Sequence, residues 1–107
     1  MNEPQMPKRP NVENPLLKAI IRLGGVVNFS KQGRQLEIDL AKEFGLPDEV
    51  RDFRASNYKS KGHRKWRNEI QFVRNQLVKK GLLDNSAWNT WKVTNKGYEQ
   101  VEFSLAA

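Results

Sequence analysis

The chain has 107 residues, room for one domain and no second, and a hydrophobic content of 37% that suffices for one small core. It has no cysteine, which excludes a disulfide framework and a thiolate metal site, and no apolar run near the roughly 18 to 20 residues that a membrane span needs. The net charge of +7 is local: residues 51–80 hold ten bases against two acids, a net of +8, while the rest of the chain sums to −1.

Residues 1–13, with Pro4, Pro7 and Pro10, read as a disordered leader without the apolar region of a signal peptide. Lys8 and Arg9 can reach a phosphate from it as a flexible arm. Asn14-Pro15 reads as a helix start, Asn at the cap and Pro at the first helical position, and opens a domain over residues 14–104. Leu16, Leu17, Ile20, Ile21 and Leu23 form a wide apolar stripe, and Gly24-Gly25 stops the helix. Val26, Val27 and Phe29 form a short β-prone segment. A second helix is predicted from about Arg34 to Phe44, with Leu36, Leu40, Ala41 and Phe44 on one face and Gly45 as its stop. Leu46-Pro47-Asp48-Glu49 begins a helical turn through Val50 and Phe53. Residues 55–63 lack periodicity and read as a basic loop.

A third helix is predicted from about Arg64 to Lys80. Trp66, Ile70, Val73 and Leu77 fall within about 60° of one another on a helical wheel and define its core stripe. Leu82-Leu83, a turn at Asp84-Asn85-Ser86 and an alternating segment from Trp88 to Val93 read as a hairpin. Thr94 then caps a short helix carrying Tyr98, Val101 and Phe103. The order defines an α+β, mainly helical winged helix-turn-helix, with three to four helices and a two- to three-stranded wing.

In such a domain the last helix before the wing enters the major groove. Opposite the core stripe lie Arg64, Asn68, Gln71 and Asn75, flanked by Arg67 and Arg74. Arginine can pair bidentately with guanine, and asparagine or glutamine with adenine, so this face suits base reading. Lys59, Lys61, His63 and Lys65 lie at or before the helix start, where they suit phosphate. Trp66 and Trp91 face the core. Phe72 packs against the wing base or touches a pyrimidine methyl. Asn85, Ser86, Trp88 and Asn89 form the wing tip, with Trp88 a contact for DNA or a modified base, or packed on the third helix. His63 is the single histidine, so no metal site is expected.

Trp66-Arg67-Asn68-Glu69-Ile70-Gln71-Phe72-Val73-Arg74, then Leu77-Val78-Lys79-Lys80-Gly81-Leu82-Leu83, then Trp91-Lys92-Val93-Thr94 and Gly97, resembles the N-terminal winged-helix domain of Mrr-type restriction endonucleases. Asn14-Pro15-Leu16-Leu17 and Leu23-Gly24-Gly25 extend the resemblance over about residues 14–101. The pattern departs at Glu69, where a base or neutral residue is expected, and at Trp88, in a wing usually polar or basic. The resemblance implies DNA binding that depends on sequence or on base modification, as in restriction systems of host defence that act on methylated DNA.

The nuclease of that family uses an acid followed by Glu-x-Lys to hold Mg²⁺. No Asp or Glu here has Lys two positions downstream, so the chain reads as a binding domain without its own chemistry or cofactor, as if cut from a larger enzyme. Double-stranded DNA, modified or not, is the expected partner, with a second copy or a nuclease domain beside it. The expected location is the cytoplasm, on the nucleoid if the source is prokaryotic. A protein-interaction or dimerisation domain, a small transcriptional regulator and an RNA binder are the competing readings.

Overall fold

Val12 decides where the first helix begins. In the computed structural model, which describes residues 4–54 and 63–106 with side chains through residue 102, α1 spans Arg9–Arg22 and is capped by Lys8. The expected start at Asn14-Pro15 is therefore corrected, and residues 9–13 belong to the folded domain rather than to a leader. Pro10 occupies the first turn, where its missing N–H costs nothing, while Pro15 lies inside the helix. Pro15 removes one helical hydrogen bond. Burial of Val12, one turn before Leu16 on the same stripe, offsets that loss.

The chain leaves α1 through Gly24 and Gly25 into β1, Val26–Asn28. The second helix, α2, runs Phe29–Glu43 and so starts five residues before the expected Arg34. Asn28 is its cap: the side chain accepts from Lys31 N at 3.1 Å, and Gln32 Oε1 accepts from Asn28 N at 2.9 Å. This reciprocal closure satisfies two otherwise orphaned donors. A single turn, α3 at Asp48–Arg51, follows as expected.

The described segments on either side of residues 55–62 are pinned together. Arg54 and Arg64 form an isolated antiparallel bridge, and Lys65 N donates to Phe53 O at 3.0 Å. The expected phosphate contacts Lys59 and Lys61 lie outside the described residues. The long helix α4, Lys65–Lys79, buries Trp66, Ile70, Val73 and Leu77, the stripe expected of it. Trp66 donates from Nε1 to the Glu37 carbonyl at 3.0 Å, so its polar edge is satisfied in the core.

Gly81 ends α4 with φ +76°, a left-handed position that a Cβ would strain. The wing hairpin follows as β2, Leu83–Asp84, and β3, Thr90–Val93. The sheet order is β1-β3-β2, antiparallel throughout, with Val27 opposite Trp91 and Leu83 opposite Val93. Alternation along β3 turns Trp91 and Val93 inward and Lys92 outward, as the pattern requires. The final helix α5, Asn95–Ala106, is capped by Thr94, whose hydroxyl accepts from Gly97 N at 3.0 Å and donates to Gly81 O at 2.7 Å. Val101 is buried on it and Tyr98 is half exposed; the side chain of Phe103 lies outside the description. Gly97 is needed for a close approach, since a Cβ there would overlap the Leu82 carbonyl oxygen and the Val93 side chain. No helix among the described residues is long and apolar enough to cross a membrane.

Candidate nucleic-acid interface

The core stripe of α4 fixes which side chains it shows to solvent. Asn68, Gln71, Phe72, Arg74 and Asn75 line an open groove of about 340 Å³ along its outer face. Four of these five are expected base readers, brought together by the helical repeat. Phe72 is 48% exposed but does not stand bare. The Arg9 guanidinium lies over its ring at 4.2 Å, a cation–π arrangement that also fixes where Arg9 points.

Arg9 is a residue that the sequence pattern left in a flexible arm. Its Nε donates to Glu69 at 2.7 Å and its Nη2 at 3.2 Å, a bidentate pair. The hydrogen bond to Glu69 raises the Arg9 pKa further above its ordinary value. Glu69 is thus neutralised by a cation delivered from α1, which accounts for an acid on an otherwise basic helix. At the other end of α4, Lys80 pairs with Glu13 of α1 at 2.7 Å.

Arg64 and Arg67 share one acid. Glu37 on α2 has no exposed side-chain surface, and it collects both arginines. Arg64 donates from Nε at 2.6 Å and from Nη2 at 3.0 Å, and Arg67 from Nη1 at 2.7 Å. Arg34 approaches the same carboxylate at 3.4 Å and also meets Asp52 at 2.8 Å. The Arg67 guanidinium lies over Phe29 at 4.2 Å. Arg64 and Arg67, expected among the base contacts, are thus both engaged by a buried anion at the α2–α4 junction. Burial would raise the Glu37 pKa, but the hydrogen bonds and charges of the two arginines outweigh it and hold the carboxyl below its usual value. The signal was present in the sequence, as an acid within the apolar face of α2 beside Leu36, Leu40 and Ala41.

The wing tip spans residues 85–89. Trp88 is 88% exposed, as an outward wing residue should be, on the face opposite buried Trp91. Asn89 adopts φ +56°, its backbone oxygen accepts from Phe29 N at 2.9 Å, and its side-chain amide donates to the Ser30 hydroxyl. Thr90 Oγ1 donates to Trp88 O at 3.0 Å, and Ser86 N donates to Asp84 Oδ1 at 2.7 Å. The loop backbone is tied down while its tryptophan is not. Gln71, Arg74, Asn85, Trp88 and Asn89 surround a second cavity of about 270 Å³, between α4 and the wing. Gln71 and Arg74 belong to both cavities, so the helix face and the wing make one continuous surface. His63 is exposed at the edge of the described segment, and Lys65 opens α4. Among the described residues no group of three or more His, Cys, Asp or Glu is placed to hold a metal.

Helices α1, α2 and α4 around one core, a hairpin wing beside α4 and an amide-rich outer face on that helix define a winged-helix domain. A family model described as the Mrr N-terminal domain matches residues 12–102, and the chain belongs to that family. A search of curated proteins and a search of solved structures each returned no match. Membership places the chain within the restriction-system theme.

Proposed function

We propose that this chain is the target-recognition domain of a restriction system, binding double-stranded DNA with α4 in the major groove and the wing tip on the backbone or a base, and discriminating modified from unmodified bases. The observation that carries the reading is the continuous outer surface in which Asn68, Gln71, Arg74 and Asn75 adjoin the wing. Its α4 part belongs to residues 51–80, which carry a net charge of +8. Amides supply base readout, and the basic surplus supplies the salt-dependent attraction to phosphate. Cleavage would fall to a nuclease domain or another chain acting with this one on DNA inside the cell.

The test is titration of the same duplex in unmodified, N6-methyladenine, 5-methylcytosine and 5-hydroxymethylcytosine forms. The reading expects log K to fall by about 0.9 per phosphate contact with log salt, and one form to bind more tightly than the rest. Equal affinity for all four removes modification reading and keeps DNA binding. No binding at low salt removes both. The exposure of Trp88 and Phe72 favours protein docking as a second reading, and concentration-dependent self-association without DNA binding would support it.

A further inference from the structure

The cavity between α4 and the wing is built differently from the groove on the outer face of the helix. At about 270 Å³ it falls just below the range of about 300–1,000 Å³ typical of small-molecule pockets, a size for one planar heterocycle. Its floor is the stacked pair Phe29 and Trp91, with ring centroids 4.2 Å apart and planes 16° from parallel. Its outer wall is Trp88, whose ring packs on little of the protein although hydrogen bonds hold the loop beneath it.

Arg74 closes the inner side. Its guanidinium faces Trp91 at 5.5 Å, its Nε is buried without an acceptor, and burial lowers its pKa. No carboxylate is paired with it among the described residues, in contrast to Arg9, Arg64 and Arg67. With no carboxylate to hold it, the guanidinium keeps its terminal N–H donors available to a ligand that brings acceptor atoms into the cavity. The side chains of Gln71 and Asn85 also make no hydrogen bond to the described residues. The cavity thus combines an exposed indole face, a guanidinium that no carboxylate holds and two amides without a protein partner among the described residues. A nucleobase carries the matching set: a flat π face, ring nitrogens and exocyclic oxygens or amines.

We propose that this cavity receives a single nucleobase turned out of the DNA duplex, with Trp88 as its stacking wall and Arg74, Gln71 and Asn85 reading its edge. The proposal rests on the DNA-binding reading above. It divides the surface by place: Asn68 and Asn75 on the outer face of α4 would read paired bases in the groove, and Gln71 and Arg74 would join the wing in taking one base out of the stack. A base held this way shows its whole edge, including any group added to it.

Turning out a base costs least where pairing is already weak, so the occupant is revealed by pairing defects. Two end-labelled duplexes of about 20 base pairs, identical except for one central mismatch, are titrated by fluorescence anisotropy at low salt. The expected result is tighter binding of the mismatched duplex by roughly 5- to 100-fold, the range of aromatic–base stacking. Trp88→Ala reduces that preference towards one, and Trp88→Phe retains most of it. The readout is the ratio of two affinities, so a general weakening of binding by the variant does not imitate the effect. The exposure of Trp88 makes both variants compatible with folding, which a thermal melt verifies. Equal affinity of the native chain for the two duplexes overturns the proposal while leaving DNA binding in place, as does a preference that survives in Trp88→Ala. Absence of binding to either duplex overturns the DNA-binding reading, and the cavity proposal with it.

Discussion

Replacing Glu37 by glutamine keeps the side chain's volume and removes one negative charge from the junction of α2 and α4. In the native chain that charge receives three short hydrogen bonds, two from Arg64 and one from Arg67. Removing one partner of a buried ion pair costs about 3–5 kcal/mol, because the opposite charge stays behind without compensation. The arginine side chains retain 21% and 29% exposure, so they can turn partly to water, and the low end of about 3 kcal/mol applies. A domain of this size has roughly 5–15 kcal/mol in total, so Glu37→Gln still folds. At about 4–8 °C per kcal/mol the melting temperature falls by roughly 12–24 °C. Circular dichroism melts of the two proteins at pH 7 measure the loss. Adding Arg64→Met to the variant then removes one stranded charge, and the double-mutant cycle returns a coupling of about 1 kcal/mol or more. A fall under about 4 °C, with no coupling, would show that solvent screens this network like an ordinary surface pair and would refute the reasoning.

The pH dependence follows from the same clusters. Burial opposes the lowered pKa of Glu37, but Arg64 and Arg67 prevail; the hydrogen bonds of Arg51 and then Arg34 hold Asp52 far below the usual carboxylate range. Both folded values lie below the unfolded ones, about 4.3 and 3.9, so the stabilisation is complete above about pH 5 and is lost as pH falls through the folded values. Melts from pH 7 down to pH 2.5 should show this loss, and Glu37→Gln should flatten it; an unchanged acid limb in the variant would contradict the assignment. Gly97→Ala forces the Leu82 backbone and Val93 apart and should cost about 1–3 kcal/mol, measured by urea unfolding, whereas a neutral result would mean that α5 shifts freely on the wing. Arg9→Ala should change stability by less than about 1 kcal/mol yet weaken DNA binding, because it uncovers Glu69 on the exposed face. In that background Glu69→Gln should restore part of the affinity, and no recovery would mean that Arg9 does not act through Glu69.

Much of this architecture can be read from periodicity. The four buried residues of α4, the inward Trp91 with the outward Trp88, and the Thr94 cap all follow from spacing alone, since each is set by local geometry. The start of α1 does not, because two prolines compete as first-turn residues and only tertiary burial of Val12 selects Pro10. The start of α2 is hidden for a related reason. Asn28 sits within a segment that reads as β-prone until Gln32 is seen closing the cap. Side-chain commitment is the least legible layer. A wheel places Arg64 and Arg67 on or beside the outer face, but it cannot show that Glu37, from another helix, draws both inward. Arg9 lies 60 residues from the acid it meets, a pairing that no local pattern encodes. The Arg74 environment is equally remote, because it depends on β3 folding back beside α4.

The closed neck formed by Arg54, Arg64 and the Lys65–Phe53 hydrogen bond has a consequence for how such a domain can vary. Segments between two pinned ends can lengthen or shorten with only a small entropic penalty, growing with the logarithm of their length. Because the neck fixes the entry to α4, the number of residues and of lysines between positions 54 and 64 can change without tilting that helix against the wing. The domain therefore separates two adjustable quantities. On the DNA-binding proposal, nonspecific attraction to phosphate would be tuned by charge carried beyond the neck, and selectivity by a handful of side chains on a rigid frame, each without disturbing the other.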